Sequence, residues 1–122
     1  MIFWDASALI RCYVADEPGS ARARHWLTHE ESHQGSALLV AEATSAIVRR
    51  LRPNLRLVDK QIAILKEHVA GFTLTPVGEA QLEGATRLIR RHALTAADAI
   101  HVATAVLLAR DLGRTAFRFA TC

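Results

Sequence analysis

The first five residues constrain the chain most. Met1-Ile2-Phe3-Trp4 is a continuous apolar run, and it stops at Asp5. Such a run reads as a buried strand ending in a polar site. Residues 6–14 stay apolar with little turn chemistry and fit a short helix or turn on the strand's carboxyl end. Asp16-Glu17-Pro18-Gly19-Ser20 is a break. Residues 21–29 fit a helix with Ala23, Trp26 and Leu27 on one face. Residues 32–36 are polar and read as a turn, with Ser36 as N-cap of a helix over 37–51 that stops at Pro53. A second amphipathic helix covers 57–69 and closes at Gly71. Residues 72–77 alternate and carry β-branched side chains, which predicts a strand. A helix over 79–92 follows. Thr95, with Asp98 three residues on, opens a last helix to about Arg110 in a capping-box-like arrangement. Residues 116–120 form a final short strand. The order β-α-α-α-β-α-α-β predicts one α/β domain over residues 1–122, with a central parallel sheet flanked by helices.

Hydrophobic residues make up 51% of the 122, enough for an ordinary core and against global disorder. Two cysteines, Cys12 and Cys122, have no metal-ligand spacing and are too few for a disulfide scaffold. A reducing cytoplasm is therefore the expected setting. Asp5 falls where the apolar stretch of a secretory signal would run. The longest apolar segment, 99–109, is interrupted by His101 and Thr104 and is shorter than the ~20 residues that span a bilayer, so no membrane role is expected. The net charge is +3, and of the 15 basic residues only Lys60 and Lys66 are lysine. Arginine donates two parallel hydrogen bonds from a planar fork, which suits phosphate.

Three acids carry the chemical signal. Asp5 ends the first strand, where ligands gather in parallel-sheet proteins; capping the next turn would also account for it. Glu42 is the only acid of its helix, set among Leu39, Val40, Ala43 and Ile47. A charge in such surroundings is costly unless it is paired, neutralised or bound to metal. The alternative is that it occupies the helix's one exposed stripe. Asp98 stands in Ala96-Ala97-Asp98-Ala99-Ile100, near a helix start where the dipole favours an acid in any case. Mg²⁺ and Mn²⁺ take hard oxygen ligands, and a divalent cation relieves the repulsion of acids brought together. Zinc is not suggested, because the six histidines are scattered. There is no glycine-rich phosphate loop and no serine nucleophile elbow.

With these acids placed, the chain resembles the PIN-domain family, and within it the VapC toxins of toxin–antitoxin pairs. Asp5-Ala6-Ser7-Ala8-Leu9 is similar to that family's first-strand signature. Leu39-Val40-Ala41-Glu42, with Ala46 and Arg49, resembles its helix bearing the second acid. Asp98-Ala99-Ile100-His101-Val102-Ala103-Thr104-Ala105 resembles its third-acid motif, and Phe119-Ala120-Thr121 the strand that leads to a fourth. The family's fourth acid would be expected at position 123, beyond Thr121-Cys122; on this comparison the C-terminal end of the fold is truncated. Asp111, at the far end of its helix, is a poor substitute.

The resemblance implies a PIN fold and an endoribonuclease dependent on Mg²⁺ or Mn²⁺. It also implies a cognate antitoxin and a homodimer. Asp5, Glu42 and Asp98 are then the expected catalytic and metal-binding residues, with Ser7 and Thr121 orienting metal waters or ligands behind them. Arg11, Arg49 and Arg50 are candidates for the RNA backbone. His101, one turn past Asp98, reads first as a packed core histidine. Two rivals stand beside this expectation: a non-catalytic module that binds antitoxin or RNA, and a phosphohydrolase of small esters. An aspartyl-nucleophile phosphatase is disfavoured because Ser7 stands two residues after Asp5, where that chemistry needs a second aspartate.

Overall fold

The computed structural model describes residues 1–14, 17–113 and 117–121. Asp16 of the expected break, Ala116 of the expected last strand and Cys122 lie outside them. Four strands, β1 (Ile2–Trp4), β2 (His33–Ser36), β3 (Thr73–Thr75) and β4 (Arg118–Ala120), pair in the order β3-β2-β1-β4, every pair parallel. Helices α1 (Ala6–Leu9, continued by a 3₁₀ turn Ile10–Cys12), α2 (Ser20–His29), α3 (Leu39–Leu51), α4 (Leu55–Val69), α5 (Glu79–His92) and α6 (Ala96–Leu112) form the connections. This is the expected α/β architecture around a parallel sheet. No single helix among the described residues is long and apolar enough to cross a membrane.

β1 is one of the two inner strands, and Ile2, Phe3 and Trp4 are fully buried. Ile2 and Trp4 join the main core with Leu9, Tyr13, Leu39, Ile47 and Leu65. Phe3 points the other way and stacks on Phe119, ring centroids 5.7 Å apart. Burying side chains of this size contributes about 1.5–3 kcal/mol each. A smaller cluster of Ala85, Ala99 and Ala103 joins α5 to α6. Small residues permit that close approach: a Cβ added at Gly84 would stand 3.2 Å from the Cβ of Ala103.

Three local expectations are corrected. Residues 33–36 are a strand, not a turn. His-Gln-Gly-Ser has little strand propensity, but its backbone lies between β1 and β3 and both ladders are filled. Ser36 is not the N-cap of α3, which begins after Leu38; its Oγ instead accepts the Leu38 N–H at 3.2 Å. Helix α4 starts at Leu55 rather than Leu57, because Asn54 supplies the cap by accepting from the Leu57 N–H.

Trp4 ties β1 to β2 through a polar contact within the core. Its Nε1–H donates to Nδ1 of His33 at 3.0 Å, and the His33 ring stacks on Phe72 with centroids 4.9 Å apart. Burial holds the His33 pKa below its ordinary 6.5, and the carbonyl and carboxylate of Glu30 pull the other way. A depressed histidine pKa means that the unfolded chain takes the proton first on acidification. The stabilisation is therefore complete above the unfolded value and declines as pH falls from there through the folded value. Between about pH 7 and about pH 5, the melting temperature of the wild type should fall further than that of His33→Phe, which keeps the stack and loses the titration. Equal pH dependence in thermal melts of the two proteins would show that His33 does not titrate differently on folding.

Candidate active site

Asp5 stands at the carboxyl end of β1 because the ladder continues into it: its N–H donates to the Ala120 carbonyl at 3.0 Å. The residue is 9% exposed. Oδ2 accepts from Ser7 Oγ at 2.8 Å and from Thr121 Oγ1 at 3.0 Å. The two hydroxyls expected behind the acids thus both grip one carboxylate, from residues 116 apart in the chain for Thr121. Among the described residues Asp5 has no cationic side chain paired with it.

Glu42 lies in the first turn of α3 and is half-buried. Its Oε1 is 2.5 Å from Nε2 of His101, whose ring is fully buried on α6. A carboxylate oxygen accepts, so Nε2 is the nitrogen that carries the proton. Among the described residues Nδ1 of the same ring has no hydrogen-bond partner. His101 is therefore packed, as its setting implied, and it also ties α6 to the second acid. That tie spans 59 residues and leaves no periodic trace in the sequence. Asp98 is exposed in the first turn of α6, one turn before His101, and its backbone N–H donates to Thr95 Oγ1 at 3.2 Å.

Carboxylates and hydroxyls are the hard donors that Mg²⁺ and Mn²⁺ take, so the donor chemistry fits such a cation. The spacing is not closed around one. Among the described residues, no three acid, histidine or cysteine side chains stand close enough to share a metal ion. Glu42 is turned to His101, and Asp98 stands in solvent. His25 and His29, one turn apart on α2, are a ligand-like spacing that the sequence reading passed over. Their rings stack at 4.1 Å, and Nδ1 of His29 meets the His25 carbonyl instead of a third ligand. Cys12 is no nucleophile: burial pushes its thiol up to about 12, against the opposing charge of Arg24.

The three arginines proposed for RNA differ in their surroundings. Arg11 donates to Glu17 at 3.2 Å and to the Pro18 carbonyl, and Arg50 pairs with the same Glu17. Arg49 is exposed at the end of α3.

The PIN domain family model matches residues 2–112. The chain belongs to the PIN-domain family. The PIN fold is also that of the Mycobacterium tuberculosis VapC20, a Sarcin-Ricin loop cleaving toxin. The two superpose with a TM-score of 0.68 over 93% of this chain and 84% of that one, at 20% identity. That likeness is one of fold. No curated protein sequence matches this PIN domain.

The Glu42–His101 tie is measurable. A double-mutant cycle of Glu42→Ala and His101→Phe, read by chemical denaturation, should give a coupling of about 1 kcal/mol, as for a hydrogen bond to a charged or polar partner. Strict additivity of the two substitutions would remove the tie from the account of how α6 docks.

Proposed function

We propose that this PIN domain is a VapC-type toxin, an endoribonuclease that hydrolyses RNA phosphodiester bonds in the cytoplasm with Mg²⁺ or Mn²⁺. The observation that carries the reading is an aspartate, Asp5, buried at the carboxyl end of β1 in a PIN domain and gripped by two hydroxyls. Burying a carboxylate is costly, and its retention at the edge where parallel sheets bind ligands points to use.

In this reading Asp5, Glu42 and Asp98 would hold the cation. When bound, it supplies the charge that acidifies a water and offsets the charge developing on phosphate. Ser7 and Thr121 fix the orientation of the Asp5 carboxylate. A ligand held by such partners typically loses 10–100-fold in activity or affinity, as an order of magnitude, when they are removed. In this reading Arg49, exposed at the end of α3, would hold RNA phosphate, whereas Arg11 and Arg50 would first have to leave Glu17. A cognate antitoxin and a second copy of the chain are the partners this reading carries.

One observation favours a second reading, a non-catalytic module that binds antitoxin or RNA. The described residues hold no ready three-ligand group, and one oxygen of Glu42 is taken up by His101. A gel assay on single-stranded RNA separates the two. Cleavage should need Mg²⁺ or Mn²⁺, stop with EDTA, and fall on the order of 100-fold or more in Asp5→Asn and Asp98→Asn. Thr121→Val should lose less, within roughly the 10–100-fold of an orienting partner. Cleavage that ignores EDTA or survives Asp5→Asn would sink the nuclease reading. RNA binding by folded wild type without cleavage under any metal would leave the binding module.

A further inference from the structure

Helices α5 and α6 enclose a groove of about 740 Å³, within the range of ~300–1,000 Å³ typical of concave binding sites. Its lining includes none of the three acids discussed above. At about 100° per residue, Ala103, Leu107 and Arg110 lie on the side of α6 turned away from His101. The groove is therefore a separate face of the domain.

Its chemistry has two parts. Gly84, Leu88, Ala103 and Leu107 give it a small, apolar floor. Arg87, Arg90, Arg91 and Arg110 form the rim, and no acidic side chain lines it. All four arginines are exposed, and none makes an ion pair among the described residues. Four unneutralised guanidiniums around an apolar trough call for an occupant that is acidic outside and apolar beneath.

We propose that the α5–α6 groove docks an acidic, amphipathic segment of a partner protein, laid along it with its apolar residues down. Two helices side by side offer the trough that helix-in-groove recognition uses, and arginine is enriched in such interfaces. RNA fits the rim less completely. Single strands are held by stacking bases on aromatic faces, and the lining supplies none beyond His92. A second copy of the chain would set one arginine rim against another, and like charges across an interface repel. The proposal does not depend on the nuclease reading.

The probe is a short peptide with leucine at helical i, i+3, i+4 and i+7 positions and glutamate elsewhere, titrated into ¹⁵N-labelled full chain and followed by amide shifts. Shifts should centre on Gly84, Ala103 and Leu107 and weaken as salt rises. Arg90→Glu with Arg91→Glu should weaken binding about tenfold or more, the loss expected for reversed charges at an interface. Ala80→Trp, at an exposed position on the groove wall, should block binding while the thermal melt stays that of the wild type. The proposal is overturned if the shifts fall elsewhere or are absent, or if a lysine-for-glutamate peptide binds as well. It is equally overturned if oligouridylate takes the same amides more tightly, or if they respond only to the chain's own concentration.

Discussion

The pairing of β1 on both of its edges fixes everything else. Ile2 and Trp4 face the main core and Phe3 faces the aromatic cluster behind the sheet, so neither face has room for water. A three-residue strand held this way has one register, because a slip by one residue would exchange its faces. The register pairs Trp4 with Ala120, and the residues that follow, Asp5 and Thr121, are carried past the sheet edge side by side. The contact between their side chains follows from strand pairing. Thr121's half of the grip on the carboxylate is thus built into the sheet, while Ser7's comes from the first turn of α1.

Much of this was legible in the sequence, and the failures have physical causes. The apolar run ending at Asp5, the helix stripes and the Thr95 cap all emerge as expected, since each is a local pattern. β2 was not legible. His33-Gln34-Gly35-Ser36 is a strand for reasons that lie in its neighbours. His33 is wanted by the Trp4 indole and the Phe72 ring, and Gly35 leaves space for Leu39 and Leu74. A Cβ at Gly35 would come within 2.8 Å of Leu39 Cδ2. The acids could be picked out one by one, but the state of each depends on contacts made across 59 and 116 residues. Periodicity carries no record of such partners.

The same distinction bears on how the three acids should be weighed. Asp98 lies in a helix almost free of charge. The structure gives that scarcity another cause. Helix α6 packs on α5 through Ala99 and Ala103 and on the other side reaches α3 through His101, while also touching β2. A helix covered on two sides has little surface left for charge, and its charged residues fall near its ends. The first turn, where Asp98 lies, is also where a helix favours an acid regardless of function.

Glu42 is likewise accounted for in part, because it accepts from the buried His101, whose Nε2–H would otherwise have no acceptor. Asp5 is different. No helix macrodipole of useful length and no cationic side chain among the described residues offsets its burial, and two neutral hydroxyls are a modest return for desolvating a carboxylate. Chemistry at the carboxyl edge of this sheet therefore depends unequally on its three acids. Asp5 bears most of it, Glu42 contributes with one oxygen given to His101 and the other left for a ligand, and Asp98 contributes least, exposed in the first turn of α6.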